Sequence, residues 1–425
     1  MTSRSHRDGK RMFLTAHPEY GFYWCARVAS GLGFQVQVVA VGWEIYDITH
    51  STFQLGMVGL VQFIPIVLFT LVAGYVADRY SRRIVYGATI AVQSVGSAVL
   101  ALGAWRHSLG AGDIFAVVAV IGAARAFQAP SGQALMPTLV PPGLIPTAIA
   151  WSAGAFQAAT IVGPAIGGLL YAFGPQVPYT LAAVLSLAGA LLTLFIGHEG
   201  PARPREPATA KSMLSGVHFI RQNPVILGSI SLDLFAVLLG GATALLPAYA
   251  RDILKVGPWG LGALRAAPAV GSLCMSALLV KWPAKAGVGR KMFAAVFAFG
   301  LSTVVFGLSR SVALSLASLV VLGAVDTVSV IIRTSLVQLE TPDAMRGRVG
   351  AVNMLFVGTS NLLGEFESGV TAAIMGTVAA TVAGGVATLV VAGLWMRFFP
   401  SLVSFDRFNQ PSGPAPQGSS ADPAP

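Results

Sequence analysis

The sequence has few charges, few cysteines and few histidines for a chain of 425 residues. Charged residues make up 10% of it and apolar residues 55%, with a mean hydropathy of +0.72. A soluble globular domain carries about 25% charged residues, so most of this chain is not one. Its two cysteines provide no disulfide framework, and its six histidines all fall in loops, tails or the ends of apolar segments. We therefore expect no metal site, no cofactor and no enzymatic centre.

Long apolar segments fill most of the chain. A helix needs about 20 apolar residues to cross a hydrocarbon core of about 30 Å. The N-terminal stretch is polar and has no short apolar core followed by a cleavage site, so we expect no removed signal peptide. Charges and Pro/Gly clusters bound six segments and then six more, at residues 22–47, 54–77, 84–104, 113–138, 147–173, 177–197, 224–250, 258–281, 291–309, 312–338, 349–372 and 376–398.

These segments predict an all-α membrane protein with twelve transmembrane helices in two pseudo-symmetric six-helix bundles. We expect an N-terminal bundle over residues 1–197 and a C-terminal bundle over residues 224–400. Residues 198–223 form the expected cytoplasmic linker, which begins Pro-rich and charged and becomes amphipathic over residues 213–220. The low-complexity end, residues 401–425, predicts a disordered cytoplasmic tail.

The basic residues are concentrated on one side of the predicted helices. With the N-terminus placed inside, 19 of the 27 Lys and Arg residues fall in inner segments, as is typical of cytoplasmic loops. We therefore expect a multi-pass membrane protein with both termini in the cytoplasm. Arg outnumbers Lys 21 to 6, which is typical of a GC-rich bacterial genome, so the expected location is a bacterial cytoplasmic (inner) membrane. This topology and contact with anionic lipid explain the net charge of +10, so no nucleic-acid partner is needed.

The two halves of the sequence resemble each other. At an offset of about 201 residues, GAARAF at 122 falls on GAVDTV at 323, and GPAIGG at 163 falls on GEFESG at 364. Parallel six-helix repeats, related by an axis along the membrane normal, place a substrate site at their interface. The repeat therefore predicts a central cavity near the bilayer midplane.

The loop after the second predicted helix carries the most specific motif. GYVADRYSRR, which begins at Gly74, resembles the GxxxDRxxRR signature of the major facilitator superfamily. A glycine near a helix end permits close packing, Asp78 can face a neighbouring helix N-terminus, and the arginines stay near the headgroups. A plain positive-inside loop would need only the arginines. The residues expected to act in gating here are Gly74, Asp78, Arg79, Arg82 and Arg83.

A second motif lies on the fifth predicted helix. ATIVGPAIGG at 159–168 resembles the GxxxGPxxGG motif of the drug:proton antiporters of that superfamily, with Ala159 in place of the first glycine. Its small residues would let another helix approach, and Pro164 would remove a backbone hydrogen bond. Ordinary glycine-rich packing is the alternative. The gating residues expected from this motif are Gly163, Pro164, Gly167 and Gly168.

Four further stretches resemble one branch of the superfamily, the bacterial exporters that include enterobactin and macrolide efflux proteins. They are WEIYDITHSTFQLGMVGL at 43, LLPAYARDIL at 245, TPDAMRGRVGAVN at 341 and GEFESG at 364. The resemblance covers nearly the whole chain. It implies the major facilitator fold and proton-driven export by alternating access.

Five charged residues lie within predicted helices that line the central cavity in this superfamily: Arg27, Arg125, Asp233, Asp326 and Arg333. The offset of 201 places Arg125 on Asp326. A second offset, near 206 and anchored on LGM at 55 and LGA at 261, places Arg27 on Asp233. We therefore expect two basic residues to face two acidic residues across the cavity. Such pairs would either open during transport or hold the halves in register.

GEFESG places two glutamates in an otherwise apolar helix. An ionisable group at the centre of such a helix costs about 2.5–3.5 kcal/mol on insertion scales, which indicates a function for Glu365 and Glu367. They are separated by about 200° around a helix, so they cannot share one face. Either glutamate could face the cavity and titrate, and we prefer Glu365. Asn361 and Ser368 lie on the same face as Glu365 and are placed to hydrogen-bond it. Thr371 is placed to bond Glu367. The candidate proton-coupling residues are Glu365, Glu367, Asp233 and Asp326.

Together these features predict a proton-coupled secondary active exporter, an antiporter of an amphiphilic small organic compound such as a drug, siderophore or other secondary metabolite. Its expected partners are the substrate, protons and the lipid bilayer, and we expect a monomer. A proton-coupled uptake symporter is the first alternative, and a membrane-embedded enzyme or sensor is the second. The residues expected to line the substrate cavity are Arg27, Arg125, Arg333, Phe127, Phe235 and Met354.

Overall fold

The structure, a computed structural model, describes residues 16–197, 210–282 and 286–406. The described residues form helices and turns, with no β-strand among them. The helices are α1 (Pro18–Thr49), α2 (Thr52–Arg79), α3 (Arg82–Trp105), α4 (Ala111–Leu135), α5 (Ile145–Tyr171), α6 (Gln176–Leu194), α7 (Ala210–Gln222), α8 (Pro224–Leu239), α9 (Gly257–Lys281), α10 (Val288–Leu308), α11 (Val312–Leu339), α12 (Asp343–Met375), α13 (Thr377–Phe398) and α14 (Pro400–Val403).

Local sequence signals define several helix ends. The hydroxyls of Ser51 and Ser81 accept hydrogen bonds from backbone N–H groups in the first turns of α2 and α3. The side chain of Asn223 does the same for α8, and Pro224 occupies the first helical position, where its missing N–H is not needed. At the end of α1, His50 adopts the left-handed conformation with φ of 48°, which stops the helix.

Most of these helices are long and apolar enough to cross a membrane. Eleven helical segments of the described residues meet that condition. Helix α12 is 33 residues long and packs along α2 and α8, but the GEFESG motif and two asparagines make it less apolar. The all-α membrane fold is therefore confirmed, and a twelfth crossing by α12 stays a prediction.

The long helices form two bundles with matching contacts. In the first bundle, α1 packs on α5 and α6, α2 packs on α4, and α3 packs on α4 and α6. In the second bundle, α8 packs on α12 and α13, α9 packs on α11, and α10 packs on α11 and α13. Two further contacts, α5 with α9 and α2 with α12, join the bundles. All these contacts occur in pairs related by the repeat that the sequence predicts.

The seventh predicted span, residues 224–250, is not one straight helix. Helix α8 ends at Leu239, and the pair Gly240–Gly241 leads into 3₁₀ and π-helical turns that end at Ile253. Glycine weakens a helix and allows close backbone approach. A β-carbon on the second glycine would lie 2.8 Å from the carbonyl oxygen of Gly364 on α12. The break at the end of α8 therefore allows α12 to pack closely against it within the second bundle.

Helix α7 lies in the segment predicted as a linker. It extends beyond the amphipathic stretch expected over residues 213–220. It also packs closely on α12, where a β-carbon on Gly216 would lie 3.0 Å from the carbonyl oxygen of Arg348. Residues 198–209, the Pro-rich start of that segment, lie outside the described residues.

The end of the chain contacts the second bundle. The backbone N–H of Gly289, at the start of α10, donates to the carbonyl of Phe405 at 2.9 Å. Residues 401–406, at the start of the predicted disordered tail, are therefore packed on α10. Residues 407–425 lie outside the described residues, so the disorder of the tail and the domain boundaries stay predictions.

Polar side chains join the helices of the first bundle. One of their hydrogen bonds holds Gln37, which lines the central cavity. The amide of Gln93 donates to the carbonyl of Ser30 at 3.1 Å and to the hydroxyl of Ser186 at 3.2 Å. The hydroxyl of Ser97 donates to the amide oxygen of Gln37 at 2.7 Å. In a membrane such bonds between helices replace the hydrophobic driving force that water provides elsewhere.

Candidate functional site

The two bundles touch most closely at glycines near one end of the molecule. A β-carbon on Gly168 of α5 would lie 2.7 Å from the Cα of Gly262 on α9. A β-carbon on Gly56 of α2 would lie 2.8 Å from the Cα of Gly369 on α12. No side chain fits at such distances. We term this the far end, because the first and last described residues lie at the other end, the near end.

Polar contacts also join the bundles at the far end. The phenol of Tyr46 donates to the carboxylate of Asp252, and Arg251 forms an ion pair with Asp47. Tyr46 also packs with Leu55 and Ala248 in a small buried cluster. Sequence reasoning assigned no role to these residues, although they lie within WEIYDITHSTFQLGMVGL and LLPAYARDIL. The two stretches thus meet in space and close the far end.

Towards the near end, helices of both bundles have open space beside them, although the amide of Gln133 on α4 lies 3.8 Å from the sulfur of Met354 on α12. A β-carbon on Gly74 of α2, Gly154 of α5 or Gly347 of α12 would meet nothing within 4 Å. The close packing expected at Gly74 is therefore absent in this conformation, because nothing lies within 4 Å of a β-carbon there. The side chain of Asp78 lies outside what the structure describes.

Between the bundles lies a cavity of about 850 Å³. Its volume falls within the range of small-molecule sites, about 300–1,000 Å³. Its wall comes from both bundles. The residues that line it include Phe34, Gln35, Gln37, Gln62, Arg125, Phe156, Arg265, Arg333, Met354 and Glu365.

Glu365 lies in the cavity wall next to α2. A β-carbon on Gly59 would lie 2.8 Å from the Cβ of Glu365 and 3.0 Å from its Oε2. Gly59 therefore makes room for this carboxylate one turn from the far-end contact at Gly56. Glu365 thus belongs both to the cavity and to the α2–α12 contact.

Glu367 is turned away from Glu365, as the helical spacing predicts. Its Oε1 accepts a hydrogen bond of 2.8 Å from Thr371, the expected partner. The partners expected for Glu365 are wrong, because neither side chain turns towards it. Asn361 donates to the carbonyl of Val357 at 2.8 Å, one turn back on α12. Ser368 hydrogen-bonds Glu367 instead.

Arg265 of α9 is a cavity residue that sequence reasoning missed. It lines the same cavity as Glu365, and the charges of the two interact. Gly42 of α1 makes room for it, since a β-carbon there would lie 3.3 Å from Arg265 Nη2. The sequence did contain a signal for this residue, because an arginine well inside a predicted membrane-spanning helix indicates a function.

Asp233 pairs with Arg333 and not with Arg27. The Oδ2 of Asp233 lies 2.8 Å from Nη1 of Arg333, and both side chains are buried. Asp326 interacts electrostatically with both members of this pair. The expected pairs across the cavity, Arg27 with Asp233 and Arg125 with Asp326, are wrong, because α8 and α11 belong to one bundle and bring these charges together.

The basic residues of the first bundle have other neighbours. Arg27 Nη1 donates to the phenol of Tyr23 at 3.5 Å, and Arg27 is not among the residues that line the described cavity. Arg125 does line the cavity, and its guanidinium carbon lies 3.6 Å from the centroid of the Phe34 ring. The structure therefore places Arg125 and Arg333 in the cavity wall and Arg27 outside it, and their role in binding substrate stays a proposal.

The two aromatic residues expected in the cavity, Phe127 and Phe235, pack on other rings. Phe127 packs on Phe69 with ring centroids 5.8 Å apart, and Phe235 packs on Trp395 at 5.2 Å. Each ring packs on a neighbouring helix, and neither residue is among those that line the cavity. Met354 lines the cavity as expected.

The small residues of α5 pack as the GPAIGG motif predicts. A β-carbon on Gly163 would lie 2.5 Å from the Cβ of Gln35, and one on Gly167 would lie 2.8 Å from the carbonyl oxygen of Val36. These glycines bring α5 against α1, while Gly168 faces α9. Pro164 lines a smaller recess that also contains Gln35. Gating by these residues stays a proposal.

The arginines of the GYVADRYSRR motif hold helix ends at the near end. Arg83 Nη1 donates to the carbonyl of Ile196, just after α6, and Arg82 Nη1 lies 3.5 Å from the carbonyl oxygen of Ala134 on α4. Arg79 is exposed. The motif therefore joins α3 to α4 and α6 within the first bundle.

Comparisons with known proteins agree with this fold. A sequence model of the Major Facilitator Superfamily matches residues 23–365. Enterobactin exporter EntS of Escherichia coli is 28% identical over 407 residues, which cover 93% of this chain and 95% of that protein. A bacterial homologue of the human lysosomal transporter Spinster, solved inward-facing and unoccupied, matches with a TM-score of 0.73 at 13% identity, covering 90% of this chain and 97% of that one. Nucleoside transporter NupG matches with a TM-score of 0.69 at 16% identity, covering 90% and 99% of the two chains. The two structures show the shared fold alone.

Proposed function

This chain belongs to the major facilitator superfamily, and we propose that it exports an amphiphilic small organic compound in exchange for protons. It is a multi-pass membrane transporter, and transporters of this superfamily act on small molecules. The similarity to a protein named as an enterobactin exporter supports the export direction and makes a siderophore a candidate substrate. The resemblance of GPAIGG to the antiporter motif supports the same direction.

One observation carries the proposal: Glu365 lies in the wall of the cavity and also against Gly59 at the α2–α12 contact. A carboxylate in this place changes its charge when it binds a proton. The change acts at once on the cavity and on the contact that closes the far end. Proton binding and opening of the far end are thereby coupled through one side chain.

The buried cluster of Asp233, Arg333 and Asp326 is the second place where a proton can act. It contains two carboxylates and one guanidinium. With both acids ionised the cluster carries one net negative charge, and one bound proton removes it. Arg333 lines the cavity, so a change in this cluster reaches the substrate directly.

In the proposed cycle, the near end faces the cytoplasm and the observed conformation receives substrate from there. Protons leave the cavity carboxylates to the cytoplasm as substrate binds. The near end then closes, and the far end opens by separation of α2 from α12 and of α5 from α9. Substrate leaves, protons bind from outside, and the far end closes again around the protonated carboxylates.

Everted membrane vesicles test this proposal. The vesicles are energised to an inside-acidic pH gradient, which a pH-sensitive dye reports, and amphiphilic compounds, siderophores among them, are added at the exposed cytoplasmic face. We expect substrate to dissipate the gradient in vesicles with the parent protein and not in vesicles with Glu365→Gln at equal protein level. Accumulation of substrate in right-side-out vesicles, driven by an inward proton gradient, would instead establish uptake and overturn the proposal.

A further inference from the structure

The wall that the first bundle contributes to the cavity carries positive charge without a matching negative charge. Arg125 is the charge in this wall and lies well inside α4, while Arg27 lies well inside α1 and outside the cavity lining. In the part of the chain that the structure describes neither forms an ion pair. Their charges interact unfavourably with each other. The acidic residues of α1–α6 all lie within six residues of a helix end, at Glu19, Glu44, Asp47, Asp78 and Asp113.

The second bundle differs in this respect. Arg333 has Asp233 at 2.8 Å, and Arg265 has Glu365 on the same cavity wall. Each cavity arginine of the second bundle therefore has a carboxylate of its own bundle nearby, whereas no carboxylate among the described residues pairs with Arg125. A buried charge that lacks a partner is costly unless a ligand supplies one.

Arg125 is held in a position that suits an anion. Its guanidinium lies over the Phe34 ring at 3.6 Å, and both residues line the cavity. Stacking on an aromatic ring uses the face of a guanidinium and leaves the N–H donors at its edge available. Those donors match the geometry of a carboxylate.

The surroundings of Arg125 provide further donors and an apolar surface. Gln62 packs against the turn of α4 that precedes Arg125, since a β-carbon on Gly122 would lie 3.3 Å from Gln62 Cγ. The amide of Gln62 and the ring of Phe156 also line the cavity. Arg125 and Gln62 can donate hydrogen bonds to the anionic group of a ligand, and Phe156 can pack against its aromatic body.

We infer that the transported compound is an organic anion, an aromatic carboxylate or ionised phenol, whose charged group binds Arg125 beside Phe34 while its apolar body lies in the cavity. The inference rests on the proposed transport function and defines its substrate class. It also gives the unpaired charge a purpose, because the substrate neutralises Arg125 while it is bound.

Equilibrium dialysis of the purified full-length protein tests the inference with three probes that share one ring system: naphthoate, naphthamide and naphthylmethylamine. At neutral pH the first is an anion, the second is neutral and the third is a cation. We expect the parent protein to bind naphthoate most tightly. In Arg125→Gln that preference should fall about tenfold to a hundredfold, as for loss of a hydrogen bond to a charged group.

Two further variants separate recognition from folding. Arg125→Lys keeps the charge without the planar donors and should retain part of the preference. Arg106→Gln, at the exposed far end of α3, should leave binding unchanged. Equal binding of the three probes, binding of none, or an unchanged preference in folded Arg125→Gln would each overturn the inference.

The dialysis uses no membrane and no gradient, so its result does not depend on whether the protein transports the compound. A preference for naphthoate in a protein that moves no panel compound would refute the proposed function and leave anion recognition standing. Transport by a protein that shows no preference for the anion would refute only the inference.

Discussion

Gly168 of α5 lies against Gly262 of α9, so closely that a β-carbon on Gly168 would be 2.7 Å from the Cα of Gly262. The offsets of 201 and 206 residues carry these positions onto Gly369 and Gly56, which make the same contact between α12 and α2. The far end is therefore closed by one kind of contact made twice, once on each side of the repeat axis. Each contact requires glycine only while the far end is closed.

Replacing Gly168 should thus favour the conformation in which the far end is open. In Gly168→Ala the added methyl group overpacks the α5–α9 contact, which costs about 1–3 kcal/mol. A shift of that size changes the ratio of the two conformations about 5- to 150-fold. Spin labels at the far ends of α5 and α9 would report a longer distance. The matched control is Gly393→Ala on α13, where a β-carbon meets nothing within 4 Å, and an unchanged distance in Gly168→Ala would contradict the expectation.

The buried pair of Asp233 and Arg333 should contribute more to stability than the exposed pair at the far end. Removing one partner of a buried ion pair costs about 3–5 kcal/mol, and Asp326 beside Arg333 reduces that loss in Asp233→Asn. Asp47→Asn breaks the half-exposed pair with Arg251 and should cost about 1 kcal/mol or less. Thermal unfolding in detergent should show a clearly lower Tm for Asp233→Asn only. Equal Tm values for the two variants would refute this ranking.

Much of the fold follows from the sequence because the bilayer imposes it. Apolar segments about 20 residues long must form helices there, since every backbone polar group has to be bonded internally. The repeat then predicts which helices are equivalent. The GPAIGG motif predicts a close helix contact, because two glycines four residues apart, Gly163 and Gly167, leave a groove on one helix face. These predictions depend on local pattern alone.

The charge partners did not follow from the sequence. The repeat offset gives equivalent positions, such as Arg27 and Asp233, but equivalent residues need not be neighbours. The partner of Asp233 is Arg333 on α11, and which of two arginines is nearer depends on how α8 and α11 pack. Arg265 was overlooked for a related reason, since its counterpart in the first bundle, Gly59, carries no charge.

The phenol of Tyr46 should hold the far end closed through its bond to Asp252. In Tyr46→Phe the ring still packs with Leu55, but the carboxylate loses a donor, and the open far end becomes more populated. We would replace both native cysteines with serine, place a cysteine at Val41 in the cavity wall, and label it with a membrane-impermeant maleimide from the far side. Labelling should be faster in Tyr46→Phe than in the parent. The control is Tyr75→Phe, on an exposed ring of α2, and equal rates in all three proteins would contradict this role.

The Asp78 carboxylate should act on turnover and not on binding. The GYVADRYSRR motif places it near the end of α2, where the structure shows Arg82 and Arg83 fixing neighbouring helix ends. Asp78→Asn is therefore expected to insert normally and to bind substrate with unchanged affinity while its transport rate falls. Transport by proteoliposomes at matched protein levels, beside a binding assay, would measure this. Equal transport rates in mutant and parent would exclude a gating role.

The two glutamates of GEFESG should differ in their effect on proton coupling. Glutamine has nearly the shape of a protonated glutamate and cannot ionise, so Glu365→Gln fixes the protonated state of the one glutamate that lies in the cavity and against Gly59. Export driven by a pH gradient should be lost in this variant while substrate still binds. Glu367→Gln should have a smaller effect, because Glu367 bonds Thr371 on the same helix.

The deciding measurement is transport by reconstituted vesicles as a function of the pH difference, beside a direct binding assay. In the parent protein export should rise as the far side becomes more acidic than the near side, because acid on that side loads the carboxylate and a higher near-side pH releases its proton. In Glu365→Gln the rate should no longer depend on the pH difference. If the rate became independent of the pH difference in Glu367→Gln alone, Glu367 would carry the coupling proton, and the assignment of that role to Glu365 would be wrong. If both variants keep the parent profile, the proton acts elsewhere, and Asp233→Asn and Asp326→Asn become the variants to measure. Their cluster with Arg333 is a second buried site where one proton changes the charge of the cavity wall.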